Sequence, residues 1–259
     1  MDTQTLKYIG KDLYKTHILK EWKRYIVFMT RCHLHKGQIN DLLDFFKATP
    51  QRQAMLEHTT SFVEQTTRAF FYKDSTWDER IAIVKNHIEY MENIFNDEAI
   101  AKLYVNGERI RLWEDVYEEQ PVVMEFWFHG GQRKEGCLSL VLSLGEDELY
   151  QIMFWLAPSP EDNELSLWIG ALQGTPNGSE IIKGLTKAFF GYRTKNLIFY
   201  GIRNVAAGLG CKHLYAVSNA GYYAMNHVRR DRKLKTSLDD FWQECEGKAV
   251  SYTHLTLPT

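Results

Sequence analysis

The chain has 259 residues, 44% of them hydrophobic and 25% charged, with a formal net charge of -2. That is the make-up of an ordinary globular protein long enough to bury a substantial core, and it gives no overall reason to expect nucleic acid as a partner. The four cysteines (Cys32, Cys137, Cys211, Cys245) are scattered, which argues against a zinc site or a disulfide framework and fits a reducing compartment.

No apolar run is long enough to span a membrane. The start MDTQTLKYIGKDLYK lacks the apolar stretch of a signal peptide, so the expected location is the cytoplasm. The first hundred residues read as helical. Segment 5–36 carries eight basic residues (Lys7, Lys11, Lys15, Lys20, Lys23, Arg24, Arg31, Lys36) against one Asp and one Glu. Its apolar positions Ile9, Leu13, Trp22, Ile26 and Met29 fall at roughly helical spacing. Such a basic amphipathic helix either packs on its own domain or lies on an anionic membrane, peripheral on the inner face. DLLDFFKATP predicts a helix that stops before Pro50. STWDERIAIVKNHIEYMENIF opens with Ser75 or Thr76 as a helix cap, followed by Asp78 and Glu79 in the first turn. Ile81, Val84, Ile88, Met91 and Phe95 then form an apolar stripe, and His87 beside it reads as a packed or surface residue.

After Gly107 the pattern changes to short β segments at 109–116, 122–128, 137–144, 149–156 and 165–171. CLSLVLSL and LYQIMFWL, joined by GEDE, predict an antiparallel hairpin, and LSLWIGALQG ends at Gly174 where a loop begins. The last third returns to αβ. A helix is expected over 179–190 and another from Thr194 or Lys195 to Leu209, closed by Gly210 in a left-handed conformation. KHLYAVS follows as a strand, and SLDDFWQE as a capped helix anchored by Phe241 and Trp242. The final VSYTHLTLPT has no periodicity and resembles adapter read-through, so it is left out of fold reasoning and the natural end is expected to be missing. The whole reads as α+β: a helical N-terminal region over 1–107, a mixed, largely antiparallel sheet over 108–247, and a non-native tail over 248–259.

Three places carry candidate chemistry. The basic turn GYRTKN offers Gly191, Arg193, Thr194 and Lys195 at a helix start, either as a cradle for an anion or as a surface loop with Thr194 as an ordinary cap. It is neither GxGxxG nor a P-loop. Gln173, in a glycine-rich loop after a strong strand, is placed to bond a ligand or to cap the strand end. Ser218 and Asn219 stand at a strand terminus with His227 beyond; no nucleophile elbow precedes the serine, and Asn219 also suits a turn. The HLH at 33–35 sits in a helical context that separates its two histidines, so no metal site is expected. VRRDRKLK, 228–235, is a short basic run suited to solvent, phosphate or anionic lipid.

The series LWIGALQG, TKAFFGYRTKNLIFYGIRNVAAGLG, YAVSNAGYY and DDFWQECEG resembles the bacterial VirK/YbjX family, in order and spacing, from about residue 60 to Gly247. Where that family commonly has a His soon after the Ser-Asn pair, this chain has Tyr222 and Tyr223. The resemblance implies a Gram-negative protein linked to virulence, envelope remodelling and resistance to antimicrobial peptides; it implies no reaction. A looser likeness, to the order of elements in GNAT acyltransferases, implies a reaction. It would make Gly191, Arg193, Thr194 and Lys195 the site of the coenzyme A pyrophosphate, with Gln173 beside them. Asn219 would lie near the acyl-transfer centre, with Tyr222 or Tyr223 as the acid on the leaving thiolate. The usual RxxGxG/A signature is absent, and no general base is assigned. The partners implied are acyl-CoA and a lipid or protein acceptor, with no metal. The rival expectation is a non-enzymatic adaptor that touches a membrane or protein.

Overall fold

The computed structural model describes residues 3–128, 134–175, 178–226, 236–251 and 253–258. Seven helices come first: α1 Thr3–Leu13, α2 Leu19–Leu34, α3 Lys36–Lys47, α4 Pro50–His58, α5 Ser61–Thr67, α6 Trp77–Ile94 and α7 Asp97–Tyr104. The chain then lays down β1 Ile110–Tyr117, β2 Gln120–Trp127, β3 Leu138–Leu144, β4 Asp147–Pro158 and β5 Leu165–Gly174. After α8 Ser179–Ala188 and α9 Thr194–Gly208 come β6 His213–Val217, α10 Leu238–Glu244, β7 Lys248–Ala249 and β8 His254–Leu257. The class is α+β, and the strands form one sheet in the order β1-β2-β3-β4-β5-β6-β8-β7. Every neighbouring pair is antiparallel except β5 and β6, which run parallel across the α8–α9 crossover.

Local chemistry accounts for most boundaries. Thr76 is the cap of α6: its hydroxyl accepts from Glu79 N while Glu79 returns a bond to Thr76 N, a reciprocal capping box. Pro50 ends nothing by itself. The helix before it stops at Lys47, and Pro50 opens α4 in the first-turn position where its missing N–H is not needed, behind the Thr49 cap. The GEDE hairpin closes with Leu144 opposite Asp147 and Gly145 at φ +56°, a conformation a side chain would resist.

Two expectations are corrected. The stripe read across 5–36 is not one face. The chain breaks between α1 and α2, so Ile9 is buried and Leu13 and Met29 pack on the core, while Trp22 and Ile26 face solvent. The tail excluded from fold reasoning also takes part in the sheet: His254–Leu257 pairs antiparallel with β6, because its alternating apolar side chains Leu255 and Leu257 find a buried face there.

Helices and sheet share one hydrophobic core, which runs from Leu6 through Phe62 and Trp155 to Trp242. Where the two parts meet, α5 is buried at all seven residues. Beside it the fully buried His87 organises a polar network. Leu156 N donates to His87 Nδ1 at 3.1 Å, which leaves His87 Nε2 as the donor to Tyr104 OH at 2.7 Å, and Tyr104 OH donates on to the Cys137 carbonyl. Burial drives the His87 pKa down to about 3, so the ring stays neutral. Gln65 Nε2 donates to the Gly136 carbonyl at 2.7 Å. Arg80, also buried, donates to the carbonyls of Thr66 and Ser75 and clamps both ends of the segment between α5 and α6.

Candidate active site

These clamps hold three stretches of backbone together. Phe71 N donates to the Lys134 carbonyl at 2.8 Å and Lys73 N to the Gly221 carbonyl at 2.7 Å, so segment 70–73 is stitched to 134–136 on one side and 221–222 on the other. Phe71 adopts φ +66°, rare for a bulky residue; its ring is fully buried edge-on against Trp155 at 5.4 Å, contacts that hold it there. Tyr72 and Tyr222 form an isolated antiparallel bridge, and the Phe70 ring meets Tyr223 edge-on.

The stretch 134–136 lies over the sheet at a defined point. The β5–β6 ladder runs only from Ser166 and His213 to Ile169 and Ala216, after which the parallel strands part, although β5 continues to Gly174. Gly170 is the next residue along. A Cβ there would sit 1.8 Å from the Glu135 carbonyl oxygen, so only glycine lets the Glu135 peptide close onto the strand.

The Glu135 side chain is buried, and Oε1 accepts from Tyr222 OH at 2.7 Å and from Gln173 Nε2 at 2.8 Å. Both bonds fall on Oε1; Oε2 receives none among the described residues. Among the described residues the carboxyl forms no ion pair. Burial pushes its pKa up to about 7, while the Tyr222 and Gln173 hydrogen bonds and the Lys134 charge pull in the other direction. Burial and the neighbouring carboxylate drive the Tyr222 hydroxyl far above the ordinary phenol range, so it stays protonated and donates. A carboxyl that titrates near neutrality, with one unclaimed oxygen and a fixed phenol, can take a proton from a substrate at physiological pH.

The structure thus joins two residues picked from sequence, Gln173 and Tyr222, through a third that sequence reasoning missed. Glu135 stood in HGGQRKEG, read as turn composition, and its only signal was a lone acid between a basic glycine-rich loop and an apolar strand. Tyr223 is buried against Tyr222, with ring centroids 5.0 Å apart. Asn219 faces α10: its Oδ1 accepts from Leu238 N, its Nδ2 donates to Ser237 Oγ, and its own N–H bonds Asp239. That ties the end of β6 to the first turn of α10. Ser218 closes the adjoining turn by accepting from Gly221 N. His227 and 228–235 lie outside the described residues.

The basic turn before α9 also leans on α10. Arg193 is ion-paired with Glu244, and Lys195 Nζ stands 3.9 Å from the centre of the Phe241 ring. Thr194 is fully buried and does not cap the helix; α9 opens on Arg193, whose side chain makes no capping bond. Gly191 takes φ +86° with open space around it. His35 of the HLH stacks on Trp77 at 4.0 Å.

A family model described as a protein of unknown function (DUF535) covers residues 17–259. No curated protein and no solved structure matches the chain.

Proposed function

The chain belongs to the DUF535 family, which includes VirK and YbjX, and from that premise we propose that it is an acyltransferase serving envelope remodelling and antimicrobial-peptide resistance in a Gram-negative bacterium. The observation that carries the reaction is Glu135, a buried carboxyl with no ion pair among the described residues, poised near neutral pH where β5 and β6 separate. The order of elements supports the reading: a β3–β4 hairpin, a strand β5 ending in a loop, a helix entered through a basic turn, and β6 ending before Asn219. A non-enzymatic adaptor has no use for a carboxyl held at such a cost.

Acyl-CoA supplies an activated thioester carbonyl, and the residues of this chain do the rest. Glu135 Oε2 takes the proton from an acceptor hydroxyl or amine as the acceptor atom bonds the carbonyl carbon and the carbon–sulfur bond breaks. Glu135 then gives that proton from Oε2 to the departing sulfur, so the proton count closes, while Tyr222 keeps its own proton and holds Oε1. Gln173 fixes the carboxyl plane. For the pyrophosphate, Gly191, Lys195 and the start of α9 fit an anion, and Arg193 joins them by exchanging Glu244 for phosphate, whereas the fully buried Thr194 does not reach it.

The test is a thermal shift with CoA and short and long acyl-CoAs, followed by thiol release from the acyl-CoA that binds. At a hundred times its dissociation constant a ligand adds about 2.7 kcal/mol, a rise of roughly 5–10 °C in a chain of this size. We expect that rise to vanish in Arg193→Ala with Lys195→Ala, and thiol release to vanish in Glu135→Gln while the shift stays. If no CoA species shifts the melt, the reading fails.

A further inference from the structure

The second helix presents a surface that the site around Glu135 does not use. Its inner face is ordinary core: Phe28 and Cys32 are buried, and Tyr25 packs so closely on α1 that a Cβ on Gly10 would meet its ring at 2.7 Å. The opposite face is apolar as well. Leu19 is 70% exposed, Trp22 47% and Ile26 41%, at the spacing of one helical side, and Val27 and Leu34 widen the stripe. Large apolar side chains gathered on one exposed face of a helix mark something that covers them.

The charge around the stripe identifies that partner. Lys20 and Lys23 stand on α2 beside it, and Lys15 just before it; all three are exposed and make no ion pair among the described residues. The acids of segment 5–36 are occupied: Glu21 pairs with Arg24, and Asp12 accepts from Thr60 Oγ1. Eight basic residues against two acidic ones in this segment, within a chain of net charge -2, leave the rest of the molecule negative. Lys15, Lys20 and Lys23 thus stand exposed and without an ion pair among the described residues where the apolar stripe is exposed. Tryptophan with aliphatic side chains, flanked by lysines whose long stems let the ammonium reach outward, is the composition of a helix that lies in a lipid headgroup layer. No helix among the described residues is long and apolar enough to cross a membrane, so this contact is along the surface.

We infer that the outward face of α2, built on Leu19, Trp22 and Ile26 and bracketed by Lys15, Lys20 and Lys23, docks on an anionic phospholipid surface. The inference stands apart from the acyl-transfer reading, because no residue of the Glu135 site belongs to it. It also gives a reason for a stripe that an ordinary helix of this fold would bury.

The experiment is co-sedimentation of the purified chain with phosphatidylcholine vesicles and with vesicles containing one quarter phosphatidylglycerol, at low and physiological salt. Preferential partition onto the anionic vesicles is expected, weakening as salt rises. Since each lysine near an anionic surface contributes on the order of fivefold in binding, Lys20→Glu with Lys23→Glu should lower partition at least about tenfold. Trp22→Ser with Ile26→Ser should lower it comparably, and both variants should keep the parental thermal melt because the side chains are exposed. Glu135→Gln should bind vesicles like the parent, which separates this result from the fate of the enzyme reading. The inference is overturned if anionic vesicles bring down no more protein than neutral ones, or if both double variants bind unchanged. A dimer that Trp22→Ser with Ile26→Ser dissociates, without vesicle binding, overturns it too and assigns the face to a second copy of the chain.

Discussion

The turn before α9 and the pocket at Glu135 hold their charges in opposite ways. Arg193 and Glu244 are each about half exposed and neutralise one another at the surface, where water screens both partners. Glu135 has left water, and among the described residues its carboxyl is held by the neutral donors Tyr222 and Gln173. The first arrangement is cheap, weakly stabilising and exchangeable; the second keeps a destabilising group whose protonation is balanced near neutrality. An exposed pair can swap one anion for another, whereas a buried lone carboxyl is suited to moving a proton.

That contrast can be broken most severely at Glu135. Replacing it by Gln should lower any thiol-release activity by about 10²–10⁴-fold. The same change should stabilise the fold at high pH. The carboxyl titrates at about 7 in the folded chain against an ordinary 4.5, so the native state holds a proton that the unfolded chain has already lost. Stability from this group is therefore present below about 4.5 and disappears as pH rises through about 7. Above that pH the Gln variant should gain roughly 3 kcal/mol in denaturant titrations and show no loss between pH 5 and 8 attributable to this position. A variant that is both inactive and destabilised at pH 8 would refute the assignment of a buried ionised carboxyl.

Gly170→Ala probes the same pocket from the strand side. Its methyl group displaces the Glu135 peptide, with an expected cost of about 1–3 kcal/mol and loss of activity, while the CoA-dependent shift in the melt persists. Tyr222→Phe should be milder, about 1–2 kcal/mol in stability. Because the Tyr222 hydrogen bond holds the carboxyl pKa down, its removal should move the pH midpoint of activity to a more alkaline value. Arg193→Ala is expected to change stability least, by less than about 1 kcal/mol, because an exposed pair contributes little. If that variant melts far lower, the turn is a structural clamp on α10 and the comparison drawn above collapses.

The strands could be read from sequence because apolar density and turn residues are local signals. Thr76 was legible for the same reason: a cap and its Glu three residues on lie within one turn of helix. Glu135 was not, because its burial depends on 70–73, 134–136 and 221–222 meeting over Gly170, and no local pattern encodes that meeting. Trp22 and Ile26 show a third case. Their spacing with Ile9 and Met29 announced a helix correctly, yet periodicity says nothing of which side faces the core once the chain breaks between α1 and α2. The tail shows a fourth, since the alternation of Leu255 and Leu257 is too brief to stand out in sequence yet suffices for pairing with β6.

The close approach at Gly170 has a consequence for the family as a lineage. Any chain that acquires a side chain at this position must reroute the backbone that carries the carboxyl, because the two cannot occupy the same space. Glutamate at 135 should therefore be found among relatives only where glycine stands at 170, although 35 positions separate them. A relative that keeps one without the other would be a natural experiment on whether the carboxyl acts at all.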